Sequence, residues 1–183
     1  MKATGIVRRI DDLGRVVIPK EIRRTMRIRE GDPLEIFTDR EGEVIFKKYS
    51  PIGELNTFAE QYAQALSKTC GLNIVVTDRD SVIASAGVPK KDYQEKRVSD
   101  KAEQIIEERT LYICQDETKG FNPCNDVNDG FYTSVAMPII TEGDITGCIY
   151  SLCKAGEKCE LDKETEKKLI QTAASFLSKQ LES

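Results

Sequence analysis

The sequence predicts an α+β protein in two parts: a small cationic unit of short strands, then an antiparallel sheet with flanking helices. Three observations carry this. Residues 1–29 hold nine Lys or Arg against three Asp or Glu, although the whole 183-residue chain sums to −4. The hydrophobic pattern changes at Ser50-Pro51-Ile52-Gly53, from short alternating runs to longer helical and strand periods. The charge also changes sign there: residues 1–50 carry twelve basic and nine acidic groups, leaving fifteen and twenty-two for residues 51–183. These patterns place domains at 1–50 and 56–183, with 51–55 as a linker or helix start.

The first part reads as strand, turn, strand, short helix, strand, turn, strand. Residues 5–10 form a strand candidate, and Asp11-Asp12-Leu13-Gly14 supplies turn residues. Residues 15–18 make a second strand. Pro19 presets φ for a helix start, so residues 20–26 are expected to be helical. Gly31-Asp32-Pro33 breaks the chain, and 34–38 and 43–48 form a hairpin across Asp39-Arg40-Glu41-Gly42.

On a helical wheel Ile22 and Met26 share one side, and Lys20, Arg23, Arg24 and Arg27 fill the opposite sector. Arg8, Arg9 and Arg15 flank the first turn and extend that patch. Cations clustered with few acids repel one another, so the pattern points to a polyanion, and DNA is the expected one. Fifty residues without a cysteine or a metal motif bury little core alone. A homodimer that interleaves strands is therefore expected at this end, which also removes exposed strand edges.

The string G-I-V-R-x-I-D-x-L-G-R-V-V-I-P-x-E-I-R-R-T resembles the AbrB-type swapped-hairpin DNA-binding domain of bacterial transition-state regulators. The resemblance implies two chains that exchange hairpins to form a small β-barrel-like dimer. It also implies double-stranded DNA as partner, with Arg8, Arg15, Arg23 and Arg24 at family contact positions. Arg9, Lys20 and Arg27 are added by the wheel alone. The family tends to read DNA shape rather than a tight consensus. Long Arg side chains suit phosphates and narrow grooves, and neither Asn nor Gln occurs before residue 56.

In the second part, residues 54–68 carry Leu55, Phe58, Tyr62, Ala65 and Leu66 at helical spacing. NIVVTD and SVIASA read as strands, 100–109 as a helix and 110–115 as a strand. Residues 119–130, dense in Gly, Asn, Asp and Pro, read as loop. Residues 131–140 and 144–153 form a hairpin, and 160–181 a long amphipathic helix. This order, with VAMPIITEGDITGCIYSL, resembles a GAF sensor domain, with PAS as the runner-up. The resemblance implies a pocket beside the loops at 90–97 and 119–130, with Tyr93, Phe121, Phe131 and Tyr132 as candidate liners for an unknown small effector. The alternative is that these aromatics close the core. The stripes Phe58, Tyr62, Leu66 and Ile170, Ala174, Leu177, Leu181 suggest a homotetramer, unless both cover their own sheet.

All six cysteines follow residue 69, and no pair has Cys-x-x-Cys spacing. Reduced, packed thiols are the expectation, with a redox or metal cluster about Cys114 and Cys124 as the alternative. No cofactor and no metal are expected. The chain has no His, no phosphate loop and no paired acids at a motif spacing, which argues against an enzyme. No apolar run is long enough for a membrane span and no signal peptide is seen, so the expected location is the cytoplasm, on the nucleoid. The leading functional expectation is a transcriptional regulator of the sporulation or transition-state type. The alternative is an antitoxin, a class with related swapped-hairpin domains, but an antitoxin would carry a short disordered tail where this chain has a foldable second half.

Overall fold

The computed structural model describes residues 6–54, 56–159 and 161–182. Gly5 of the first expected strand, Leu55 of the first helical stripe and Glu160 at the start of the last expected helix lie outside the described residues. The chain divides into two compact units, Met1–Tyr49 and Ser50–Ser183.

The first unit contains α1 (Lys20–Thr25) and the antiparallel pair β1 (Leu34–Thr38) and β2 (Val44–Lys48). One turn is used twice. In Asp11–Arg15, the Asp11 Oδ1 atom accepts from the amides of Leu13 and Arg15 at 3.0 and 2.8 Å, and the Asp11 amide donates to the Arg15 carbonyl at 3.0 Å. In the β1–β2 turn, Asp39 Oδ1 accepts from Glu41 and Glu43 at 2.9 Å each, and the Asp39 amide donates to Glu43 at 3.2 Å. Each turn has Gly three residues on, at φ 76° and 85°, where a side chain would be strained.

The strands expected at 5–10 and 15–18 are not formed: residues 6–10 and 15–19 have no strand assignment. The turn brings them together, but a two-stranded ribbon with no sheet or helix to pack on is marginal alone. Their apolar side chains stand in solvent, with Val7 88% and Val17 69% exposed.

The second unit begins with α2 (Pro51–Glu54), in the stretch read as a linker, and α3 (Asn56–Cys70). There follow β3 (Asn73–Thr77), β4 (Val82–Ala86), α4 (Lys90–Tyr93), α5 (Asp100–Glu108), β5 (Tyr112–Ile113), β6 (Phe131–Thr141), β7 (Asp144–Lys154) and α6 (Lys163–Leu181). The strands form one antiparallel sheet in the order β4-β3-β7-β6-β5. Glu142 and Gly143, at φ 51° and 89°, close β6 onto β7, the positive φ pair of a tight hairpin. Ser99 caps α5 through the Ala102 amide, and Asp162 caps α6 through the Glu164 and Thr165 amides at 3.1 and 3.0 Å.

Strand alternation gives the sheet two buried faces. On one, Ile74, Val76, Ala84, Val135, Ile139 and Ile149 pack with α3 and α6. On the other, Val75, Tyr150 and Leu152 pack with Tyr93, Val98, Ala102, Ile105 and Ile106. The two terminal helices thus share one face, the arrangement expected of a GAF-like domain. Ile170, Ala174 and Leu177 are buried in this core, so that stripe covers its own sheet, and Ala65 of the α3 stripe is exposed. Phe58 and Tyr62 instead stack on Phe176 of α6, with ring centroids 5.5 and 5.1 Å apart.

Two positions are decisive for this packing. Leu177 is wholly buried between α6 and the sheet. A Cβ built on Gly147 would lie 2.1 Å from the Thr77 carbonyl oxygen, inside the β3–β7 ladder. Leu177→Ala is expected to cost about 2–5 kcal/mol in denaturant unfolding. Gly147→Ala should cost about 4 kcal/mol or more, because backbone must move. A Gly147→Ala protein with an unchanged midpoint would contradict this register.

Candidate nucleic-acid interface

Pro19 precedes α1 in extended conformation, and its carbonyl accepts the Arg23 amide at 2.9 Å. That first hydrogen bond sets Lys20, Arg23 and Arg24 on an exposed turn of helix, while Ile22 is half-buried. Arg8 and Arg9 are exposed on the segment before the Asp11 turn. Arg15 is exposed after it, its Nε 2.8 Å from Asp11 Oδ2. The same carboxylate therefore closes the turn and orients a guanidinium. An exposed pair of this kind is weak, so a phosphate can replace the carboxylate.

Arg27 departs from the wheel. α1 ends at Thr25 with Met26 as its cap, and Arg27 follows in the left-handed region at φ 50°, half-buried. Its carbonyl accepts from Lys48 Nζ at 2.9 Å, and Lys48 also lies 3.4 Å from Asp32. These contacts tie the segment after α1 to β2. The helical period assumed for Arg27 does not extend that far, so six of the seven expected cations are on exposed surface and the seventh is at a structural corner.

Met26, read from the wheel as part of an apolar side, is exposed, and sequence reasoning did not single out the other exposed apolar residues of this unit: Ile6, Val7, Ile10, Leu13, Val16, Val17, Ile36, Phe37 and Val44. Their signal was alternation in runs too short to show which side is covered.

Three of the four aromatic residues expected to line a pocket share one core, and the fourth does not. Tyr93 is wholly buried, its hydroxyl accepting from Asn122 Nδ2 at 2.8 Å, and Phe121 and Phe131 pack against the same core. Tyr132 follows Phe131 in β6 and so points to the other face, against Gly120 and toward Glu117 and Glu166. The spaces nearby have other walls. A groove of about 440 Å³ borders β4, Glu60, Lys90 and Gln94, and one of about 240 Å³ lies among Lys91, Lys96, Asp126 and Asp129.

Cysteine also differs from expectation. Cys153 and Cys159 are joined by a disulfide. Cys114, Cys124 and Cys148 are separate and buried, and burial pushes the thiols of Cys124 and Cys148 up to about 12. Among the described residues no group of three His, Cys, Asp or Glu could hold a metal ion. No described helix is long and apolar enough to cross a membrane.

Comparison with known proteins adds to this geometry. Residues 54–182 match the family "Stage V sporulation protein T C-terminal, transcription factor". Residues 7–53 match "Antidote-toxin recognition MazE, bacterial antitoxin". The chain is 49% identical over 182 residues to stage V sporulation protein T of Bacillus subtilis, covering 100% of this chain and 99% of that protein. It is 63% identical over 51 residues to transition state regulatory protein AbrB of the same organism, covering 28% of this chain and 52% of that one. Among solved structures, residues 122 to 287 of a methyl-accepting chemotaxis protein align at a TM-score of 0.52 and 15% identity, over 70% of this chain and 93% of that one.

The Arg15 amide, followed by its side chain, holds the Asp11 carboxyl below its ordinary value of 3.8. A depressed carboxyl pKa stabilises the turn above the unfolded value, and that contribution is lost as pH falls through the folded value. Carbon-detected NMR titration should find Asp11 titrating below 3.8. Arg15→Ala should raise it only in part, because the backbone donor remains. An Asp11 that titrates at its ordinary value would show that the turn is not closed in this way.

Proposed function

The chain belongs to the stage V sporulation protein T family of transcription factors, and on that premise we propose that its first unit binds double-stranded DNA as a homodimer. The protein is a DNA-binding transcriptional regulator of the sporulation type. The observation that carries the DNA-binding surface is the set of exposed cations Arg8, Arg9, Arg15, Lys20, Arg23 and Arg24 around one tight turn and one short helix. Arg27 serves as a contact of the backbone corner rather than of the helix face. Guanidinium groups on short, well-anchored elements can follow phosphates on both sides of a groove.

The dimer is supported by the exposed apolar residues of the same unit. Two copies that zip residues 6–10 and 15–19 into a shared barrel would cover Val7, Ile10, Leu13 and Val17 and complete the missing ladders. Swapping hairpins in this way removes the marginal ribbon that a single chain leaves. In this reading residues 51–55 link the two domains, and the GAF-like second unit modulates DNA affinity through a coupling free energy. A second-unit contact through the Phe58, Tyr62 and Phe176 surface would make the assembly a tetramer. A small polar effector of that unit would occupy the groove beside β4, where Glu60, Lys90 and Gln94 offer polar partners. The product acts on the nucleoid and performs no catalysis.

The match of residues 7–53 to an antitoxin family gives the second reading its footing. A folded unit matching a transcription-factor family across residues 54–182, in place of a short toxin-binding tail, favours the regulator.

If six to eight phosphates are neutralised per dimer, the log–log dependence of affinity on salt should have a slope of roughly −5 to −7. A flat salt response would overturn the DNA-binding reading. Arg23→Ala and Arg24→Ala should each weaken binding about tenfold and flatten the slope by about two, one for each protomer, leaving the sedimenting mass unchanged. Val7→Glu should instead dissociate the dimer, and DNA binding should be lost with it. DNA binding by a Val7→Glu monomer at wild-type affinity would remove the dimer from the proposal.

A further inference from the structure

The disulfide Cys153–Cys159 lies at a seam that the DNA-binding reading does not use. Cys153 is in the last turn of the ladder, opposite Tyr132, on the sheet face shared with Ile149 and Ser151 and covered by α6. Cys159 is half-buried, and the residues between them, 154–158, are exposed. The loop carries the chain from β7 into α6. Among the described residues its other ties are an exposed Lys154–Glu157 pair at 2.8 Å and hydrogen bonds from the Ala155 amide to the Gly130 carbonyl at 2.9 Å and from the Glu157 amide to the Lys154 carbonyl at 3.0 Å. Immediately after it, Asp162 caps α6, and Lys163 reaches Ser134 and the buried Glu166, whose Oε2 accepts from Ser134 at 2.8 Å.

We propose that Cys153–Cys159 is a reversible thiol–disulfide exchange site for low-molecular-weight thiols, and that it controls how firmly the start of α6 is held. Three observations select this pair. It is the one disulfide among the described residues, and half-buried Cys159 in an exposed loop offers a sulfur that a small thiolate can reach. Cys114, Cys124 and Cys148 are buried, and Cys114 Sγ donates to the Asp116 carbonyl at 3.2 Å, so they do not compete as attacking or resolving groups. Burial also keeps Cys124 and Cys148 protonated. Finally, a protein that works on DNA shares its compartment with reducing thiols, where a disulfide is more often transient than structural. Only this last point rests on the regulator reading.

The exchange balances with a dithiol. Its thiolate attacks Cys159 Sγ, the S–S bond breaks, and Cys153 leaves as a thiolate that takes up a proton. The second thiol then attacks the mixed disulfide and releases Cys159, so two electrons and two protons pass to the protein and the reagent becomes a cyclic disulfide. The reverse step needs a small disulfide such as oxidised glutathione. Reduction removes the disulfide tie across 154–158 and leaves, among the described contacts, one exposed ion pair and two backbone hydrogen bonds.

The test uses the full native chain. Air-oxidised protein is treated with or without dithiothreitol, alkylated, and mapped by peptide mass. Reduction should add a label at Cys153 and at Cys159, none at Cys114, Cys124 or Cys148, and leave Cys70 unchanged. Oxidised glutathione should then restore protection of the pair. Amide exchange in residues 155–165 should be about tenfold faster after reduction. Cys159→Ser should exchange at the fast rate regardless of dithiothreitol. Labelling of the pair without reductant, reduction only in denaturant, or exchange rates indifferent to reduction would each overturn the proposal. DNA affinity, measured separately, leaves these outcomes independent of the DNA-binding reading.

Discussion

The first unit owns more apolar side chain than it can cover. Ten large hydrophobic residues before position 45 stand exposed, against two, Ile113 and Phe176, in the remaining described chain. The difference follows from topology. One short helix and one two-stranded sheet have no second layer to pack on, whereas the five-stranded sheet of the second unit is covered on both sides. A chain that leaves Val7 and Val17 in water has either a destabilised end or a partner. The cationic surface inherits that dependence, because Arg8, Arg9 and Arg15 ride on the same segments.

The second unit meets its own demands. Its helices divide by face: α3 and α6 on one core, α4 and α5 on the other. Gly147 lets β3 and β7 approach at the centre, and Glu166 enters the first core only with Ser134 and Lys163 to accompany its charge. Tyr93, Tyr150 and Cys148 fill the second core. The packing there is that of a closed interior, and open space lies instead in grooves at the periphery.

Much of this was legible in the sequence. The β6–β7 hairpin followed from two alternating runs about Glu142-Gly143, and the two Asp-x-x-Gly turns from their residue types. Other features needed long-range information. Local periodicity put Arg27 on a helix that ends two residues earlier, and residues 5–10 and 15–18 were read as strands although a ladder requires a neighbour. Phe131 and Tyr132 are both candidate pocket liners in the sequence, but adjacent strand residues face opposite ways. The Cys153–Cys159 bond depends on a loop folding back across a strand end, which spacing does not encode. Among the cations, six of the seven expected are exposed and Arg27 is half-buried; which of them are anchored was visible only in three dimensions.

The Asp11–Arg15 clasp has a kinetic consequence. A guanidinium already facing a carboxylate is a discounted ligand for any polyanion, since each new phosphate must displace an incumbent. A polyanion seated on Arg15 would lie beside Asp11, a like charge that favours its own return.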